Sequence, residues 1–157
     1  AGERWTIARL DRRIIHYFWI STAPRCAYPS LPGCLFELDP RTGYGHDAWT
    51  HPFHRGSGVR RRSFLHELRA LRAMGRDHEA SFFAAYQLEG ASRSLASVGI
   101  TIEPLWKISL QPDRTLLFEQ LTTVWNEVSL VDAVSEDTEL GIWLPNTDWV
   151  VCLALLP

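Results

Sequence analysis

Residues 46–54 read HDAWTHPFH, which places three of the chain's six histidines and an aspartate within nine positions. Imidazole nitrogens and a carboxylate are the donors that zinc or another divalent metal takes, so His46, Asp47, His51 and His54 form a candidate metal set. The spacing does not match two histidines four apart on a helix, the arrangement that aims both rings at one point, and Pro52 interrupts the run. The ordinary reading is a loop whose rings make surface contacts, and a protein without a metal or other cofactor is the expectation.

Directly after it comes GSGVRRRS, residues 56–63. Glycines let successive backbone N–H groups point one way, a following helix adds partial positive charge at its N-terminus, and guanidinium forks suit phosphate oxygens. Gly56, Ser57, Gly58, Arg60, Arg61 and Arg62 are therefore candidate anion-binding residues. The pattern is neither a Walker loop nor a dinucleotide fingerprint, so it names no ligand. Arg55, Arg69, Arg72 and Arg76 extend the basic segment, and Trp49 or Phe53 could stack on a base. An acidic second half weighs against a long polyanion.

Charge is divided along the chain. Residues 1–76 hold 13 arginines against six acids, a balance of +7, while residues 77–157 hold three bases against twelve acids, a balance of −9. Such asymmetry points to a charged partner or to halves that face each other. The acids Glu127, Asp132, Glu136, Asp137, Glu139 and Asp148 lie near Trp125, Trp143 and Trp149 in sequence. Large aromatics rimmed by one sign of charge suit a docking surface, the rings anchoring and the carboxylates steering a basic protein.

Two functional expectations follow. The favoured one is a non-enzymatic protein-binding domain, inhibitor-like or immunity-like, that covers a basic partner through those acids and tryptophans. The alternative is a metal- or histidine-dependent phosphodiesterase or nuclease on residues 46–78, with His51, His54 and His66 as ligands or acid–base groups and Arg60, Arg61 and Arg62 on phosphate. No GxSxG elbow is present. Nucleic acid is the less favoured partner, and oligomeric state has no signal.

The elements that would position these residues follow from composition and period. With 157 residues, 46% hydrophobic and 22% charged, the chain suits one folded domain over residues 1–157 rather than disorder. Its longest apolar runs, 14–20 and 149–156, are strand-sized, so no membrane span is expected. The opening AGERWTIARLDRR lacks the apolar stretch of a signal peptide, and Cys26, Cys34 and Cys152 show no CxxC spacing. A reducing cytoplasm with unpaired thiols is the expected setting, although Cys26 and Cys34 could pair across the Pro-rich loop.

A strand is expected at 13–21 and another at 34–38, then a long loop over 43–58. Phe64, Leu65, Leu68, Leu71 and Met74 share one helical stripe that Gly75 ends. Asp77 would cap a second helix with Phe82, Phe83, Tyr86, Leu95 and Val98 buried, ending near Gly99 to complete an αα-hairpin. A strand over 100–110 bends at Pro104, Asp113 caps a third helix through Trp125, and residues 140–156 close the chain as a hairpin. The fold class is α+β, a mostly antiparallel sheet with about three helices packed on one face.

Overall fold

The computed structural model describes residues 2–27, 34–113, 115–123, 128–133 and 148–155. Two adjacent strands, β1 (Glu3–Leu10) and β2 (Arg13–Ser21), pair antiparallel through a two-residue loop in which Asp11 and Arg12 both hold positive φ, 48° and 68°. That is the turn whose twist matches paired strands, reached here without glycine. Strand β5 (Thr42–Thr50) joins β2, and the order then runs β6 (His78–Ala84), β10 (Trp149–Leu155), β7 (Thr101–Leu110) and β8 (Leu116–Gln120). Every pairing is antiparallel except β5 with β6, which the helix α1 (Val59–Ala73) connects. A smaller sheet of β3 (Arg25–Ala27), β4 (Cys34–Leu38) and β9 (Val128–Ala133) accompanies it.

The two faces of the large sheet bury different layers. Phe18 and Ile20 of β2 and Ala154 of β10 pack against Phe64, Leu68 and Leu71 of α1 and Leu95 of α2 (Ala85–Ala96). On the opposite face Tyr44, Ala80, Leu105, Ile108, Val151 and Leu153 meet Cys26, Phe36 and Leu38 of the small sheet. The alternation along β10 is complete: Val150, Cys152 and Ala154 face the helices while Val151 and Leu153 face the small sheet. A strand covered on both sides reads as the continuous apolar run WVVCLAL, as a central strand should.

The fold is α+β with a mostly antiparallel sheet and its helices on one face. Two helices rather than three are found among the described residues. The third expected helix is strand β8: Leu116 and Phe118 are half-buried, Leu117 and Glu119 exposed, a period of two. Asp113 is still a capping residue, but of a turn, accepting from Thr115 N at 3.0 Å and Thr115 Oγ1 at 2.7 Å.

The αα-hairpin is also replaced. HEASFFA is β6, and Asp77 pairs with Arg41 instead of capping a helix. Residues 42–50, read as loop, form β5. Their hydrophobic alternation is hidden because the positions facing α1 are glycines: a Cβ on Gly43 would fall 2.5 Å from Leu71 Cδ2. Pro104 sits beside a register shift in its own strand, where Leu105 is the extra residue facing the Val151–Cys152 step of β10. The hairpin partner at 140–147 lies outside the described residues, and β10 pairs with β6 and β7. Cys26 and Cys152 are free and buried, and the Cys34 side chain lies outside what the structure describes.

Candidate active site

The parallel pairing of β5 and β6 covers only Thr42 to Gly45 against His78 to Ser81. Both strands continue, β5 staying with β2 and β6 with β10, so the sheet opens into a notch between residues 46–50 and 82–84. The cause is local. β5 carries a register shift against β2 between Tyr17 and Trp19, and Asp47 within it has φ 50°. An extra residue in a left-handed conformation bends a strand away from its neighbour.

Two hollows meet at this notch. One, of about 690 Å³, lies on the helix side between residues 54–61 and the α2 side chains Gln87, Ala91 and Ser94. The other, of about 660 Å³, is walled by Trp5, Tyr17, Trp19, Trp49, Phe82 and Trp149. Ala48, Trp49, Arg60, Phe83 and Gln87 line both.

The rim of the first hollow gathers glycines, arginines and a helix start. After a single 3-10 turn at Pro52–His54 the chain passes Gly56 at φ 74° and Gly58 at φ 78°, conformations glycine adopts without a Cβ penalty. Gly58 is the N-cap of α1 with no side-chain hydrogen bond to it, and the first turn holds no acid. The leading N–H groups of a helix have no intrahelical partner and carry partial positive charge. Arg55 Nε donates to Thr50 O at 3.3 Å and Arg62 Nη2 to Ser57 O at 3.3 Å, so both side chains brace the loop while bringing charge to it. Arg61 Nη1 reaches Ser97 Oγ on the α2 side at 2.9 Å. Arg60 stands with its guanidinium 6.0 Å from the Phe83 ring centre, at the junction of the hollows.

Beneath α1, beside the notch, lie three buried polar groups: His16, Glu67 and Glu79. Glu79 accepts from Ser81 Oγ at 2.8 Å, and its other oxygen has no partner among the described residues. Burial pushes its carboxyl up to about 8, against the pull of Ser81 and Arg60. Glu67 is pushed up to about 9, first by burial and then by the charge of Glu79. Neither Glu67 oxygen has a hydrogen-bond partner among the described residues, and nearby Thr6 and Arg60 pull only weakly against that rise. His16 Nδ1 lies 2.9 Å from Thr50 Oγ1, and burial followed by the Arg60 charge lowers its pKa. At neutral pH these groups favour their uncharged forms.

On the second hollow, His46 Nδ1 lies 3.0 Å from Asp47 Oδ2. The His46 ring stacks on Tyr44 at 5.1 Å and on Trp19 at 6.4 Å, with Trp5 stacked on Trp19 at 5.4 Å beyond.

Several sequence-expected residues are not brought together. His51 caps the 3-10 turn, its Nδ1 accepting from Phe53 N at 3.3 Å, and His54 borders the first hollow. His66 is exposed on α1. Among the described residues no three histidine, cysteine, aspartate or glutamate side chains meet as a metal site, so His46, Asp47, His51 and His54 do not converge. Trp125, Glu127, Glu136, Asp137, Glu139 and Trp143 lie outside the described residues, and Asp132 is placed only as a β9 position opposite Leu35. Asp148 pairs with Lys107 Nζ at 3.2 Å, and Trp149 is half-buried at the start of the central strand β10. Gly45, Glu79, Ser81 and Gln87 escaped sequence reasoning. The available signal was a Gly-x-Gly and arginine run opening a helix, which becomes informative once a strand is seen to precede it.

The sequence matches no family model and no curated protein. Solved structures do match. A CoA-dependent acyl-homoserine lactone synthase, MesI, aligns with 99% of this chain and 63% of its own at 11% identity and a TM-score of 0.56. The ribosomal-protein-alanine N-acetyltransferase of Brucella melitensis gives 99% and 70% coverage, 11% identity and 0.56. An acetyltransferase of the GNAT family from Streptococcus pneumoniae gives 98% and 67%, 10% identity and 0.54. This chain has the GNAT-like fold. At these identities the likeness concerns the fold, and the chain spans about two thirds of the length of the structures it matches.

This likeness corrects the expectation of a non-enzymatic inhibitor-like or immunity-like domain: the solved structures sharing the fold are acyl-transfer enzymes. At the start of β10, Trp149 is half-buried between β6 and β7 and lines the second hollow, and Asp148 pairs with Lys107. No helix among the described residues is long and apolar enough to cross a membrane.

Proposed function

We propose that this protein transfers an acyl group from a coenzyme A thioester to a nucleophilic acceptor that enters from the opposite face of the sheet. The observation that carries the reading is the notch itself: two parallel strands part at Gly45, and an uncapped helix N-terminus preceded by two left-handed glycines stands at one of its mouths. A pyrophosphate fits the donor set of residues 56–58 and the first turn of α1, with Arg55, Arg61 and Arg62 supplying charge. Open space around Gly56, where a Cβ would meet nothing within 4 Å, leaves room for it. The donor substrate supplies an activated carbonyl with a thiolate leaving group. This chain's part is to hold the phosphates, thread the thioester arm past Ala48 and Phe83, and keep the acceptor on the aromatic side.

The experiment is calorimetric titration with CoA and acetyl-CoA. Gly56→Asp tests the rim, because Asp tolerates a left-handed backbone while placing a carboxylate among the phosphate donors. The expected result is at least tenfold weaker CoA binding, with the melting temperature lowered by no more than the few degrees that a left-handed Asp costs. A wild-type protein that takes up no CoA at millimolar concentration would overturn the reading.

A further inference from the structure

The second hollow carries a chemistry of its own. Its wall is aromatic, formed by the stacked pair Trp5 and Trp19 at 5.4 Å and the pair Tyr17 and Trp49 at 5.6 Å. Among the described residues only Asp47 and Arg60 bring full charge to its lining, and Arg60 stands at the junction with the donor side, over Phe83. The acceptor end therefore presents a half-exposed carboxylate, Asp47, among ring faces.

His46 occupies the first position of β5 beyond the paired segment, so it sits where the sheet opens. Its ring is fixed between Tyr44 and Trp19 by near-parallel stacking at 17° and 16°. Asp47 holds Nδ1, which leaves Nε2 as the nitrogen free to accept a proton. Asp47 itself is one of three described non-glycine residues at positive φ, a backbone cost borne at the residue that orients the imidazole. A carboxylate bound to one ring nitrogen selects the tautomer and fixes the direction of the other.

We infer that His46, held by Asp47, is the proton acceptor for an amine carried on an aromatic body, which the tryptophan and tyrosine faces of the second hollow seat. Ring faces attract a cation as well as a flat apolar group, and a carboxylate draws an ammonium. The inference rests on the acyl-transfer reading. The seated ammonium first gives one proton to His46, which passes it to solvent. The neutral amine's lone pair then forms a C–N bond to the thioester carbonyl carbon, His46 takes the second nitrogen proton as the C–S bond breaks, and the departing thiolate receives that proton from His46 as CoA thiol. The products are an amide and CoA. His46 is thus a catalytic residue and Asp47 a positioning residue.

Thiol release from acetyl-CoA is measured with 2-phenylethylamine and with butylamine, alongside CoA calorimetry and quenching of tryptophan fluorescence by each amine. His46→Gln should lower kcat by at least about 100-fold with CoA affinity within a factor of two, and imidazole should partly restore His46→Ala. Asp47→Asn keeps the left-handed backbone and should lower kcat by about tenfold and raise KM for the amine, since it removes both the imidazole's partner and the carboxylate that draws the ammonium, with Asp47→Glu recovering part of each loss. A wild type that binds CoA and acylates amines while His46→Gln keeps its kcat would overturn this inference and leave the donor reading standing. Failure to bind CoA would instead fell the donor reading. Independently of the donor, equal fluorescence responses to the two amines would overturn the aromatic seat.

Discussion

Gly45 gives the sharpest test of the packing at the notch. A methyl group there would land 2.5 Å from Phe18 Cζ, 2.8 Å from Glu79 Cδ and hard against Glu79 Oε1. Favourable carbon contacts begin at about 3.5 Å, so roughly 1 Å has to be found. Phe18 is backed by Phe64, their rings 5.9 Å apart under α1, and Glu79 is tied to Ser81. Neither moves without giving up those contacts. Overpacking of this kind costs about 1–3 kcal/mol, and parting Glu79 from Ser81 adds about 1 kcal/mol. At roughly 2–4 °C per kcal/mol for a chain of this size, Gly45→Ala should lower the melting temperature by about 5–15 °C.

Thermal and urea unfolding followed by circular dichroism measure the loss. Shortening the obstructing side chain in the double variant Gly45→Ala/Glu79→Ala should return about 1–3 kcal/mol relative to the sum of the single changes. A Gly45→Ala protein that melts within a degree of wild type, or a strictly additive double variant, would refute the claim that β5 and the buried carboxyl share one space.

Stability should also depend on pH through the two buried acids. Both carboxyls rise on folding, so the native state keeps protons that the unfolded chain releases above about 4.5. The contribution is whole below that value and is lost as pH climbs toward about 8 for Glu79 and about 9 for Glu67, with a slope of up to about 1.4 kcal/mol per pH unit per group. Urea midpoints from pH 5 to 9 should fall, and Glu79→Gln should flatten the decline. Cys26 and Cys152, both buried with thiols pushed up to about 12, should resist a disulfide reagent at pH 8 in the native state and react once urea unfolds the chain. Rapid labelling of either thiol in the folded protein would contradict their place in the core.

Local sequence was informative wherever local physics decides. The stripe Phe64, Leu68, Leu71 buries one side of α1, and Gly75 at φ 76° follows its end. Strands β2 and β4 appear at the expected residues because each is a short apolar run, rich in β-branched and aromatic residues in β2, bounded by turn-forming segments. The Gly-x-Gly and arginine segment leads into α1, as its residue types implied. Residues 42–50 were not recognisable as a strand, because glycine at 43 and 45 removes the alternating signal that Leu71, Phe18 and Glu79 replace from other elements. Residues 78–84 misled for the reverse reason. A central strand is apolar on both faces, and Phe82 and Phe83 point to opposite layers instead of sharing a helical stripe.

What the sequence determined by itself is therefore the class of the fold, the course of its first helix and the presence of a glycine- and arginine-rich rim. Tertiary structure alone decided that β5 and β6 run parallel and then part, and that His46 and Asp47 stand at the opening. It also decided that Glu67 and Glu79, separated by a helix end and a turn, lie buried together. Each of those depends on contacts between segments tens of residues apart. Residue type and spacing specify which groups exist, but only the pairing of distant strands specifies which of them share a space.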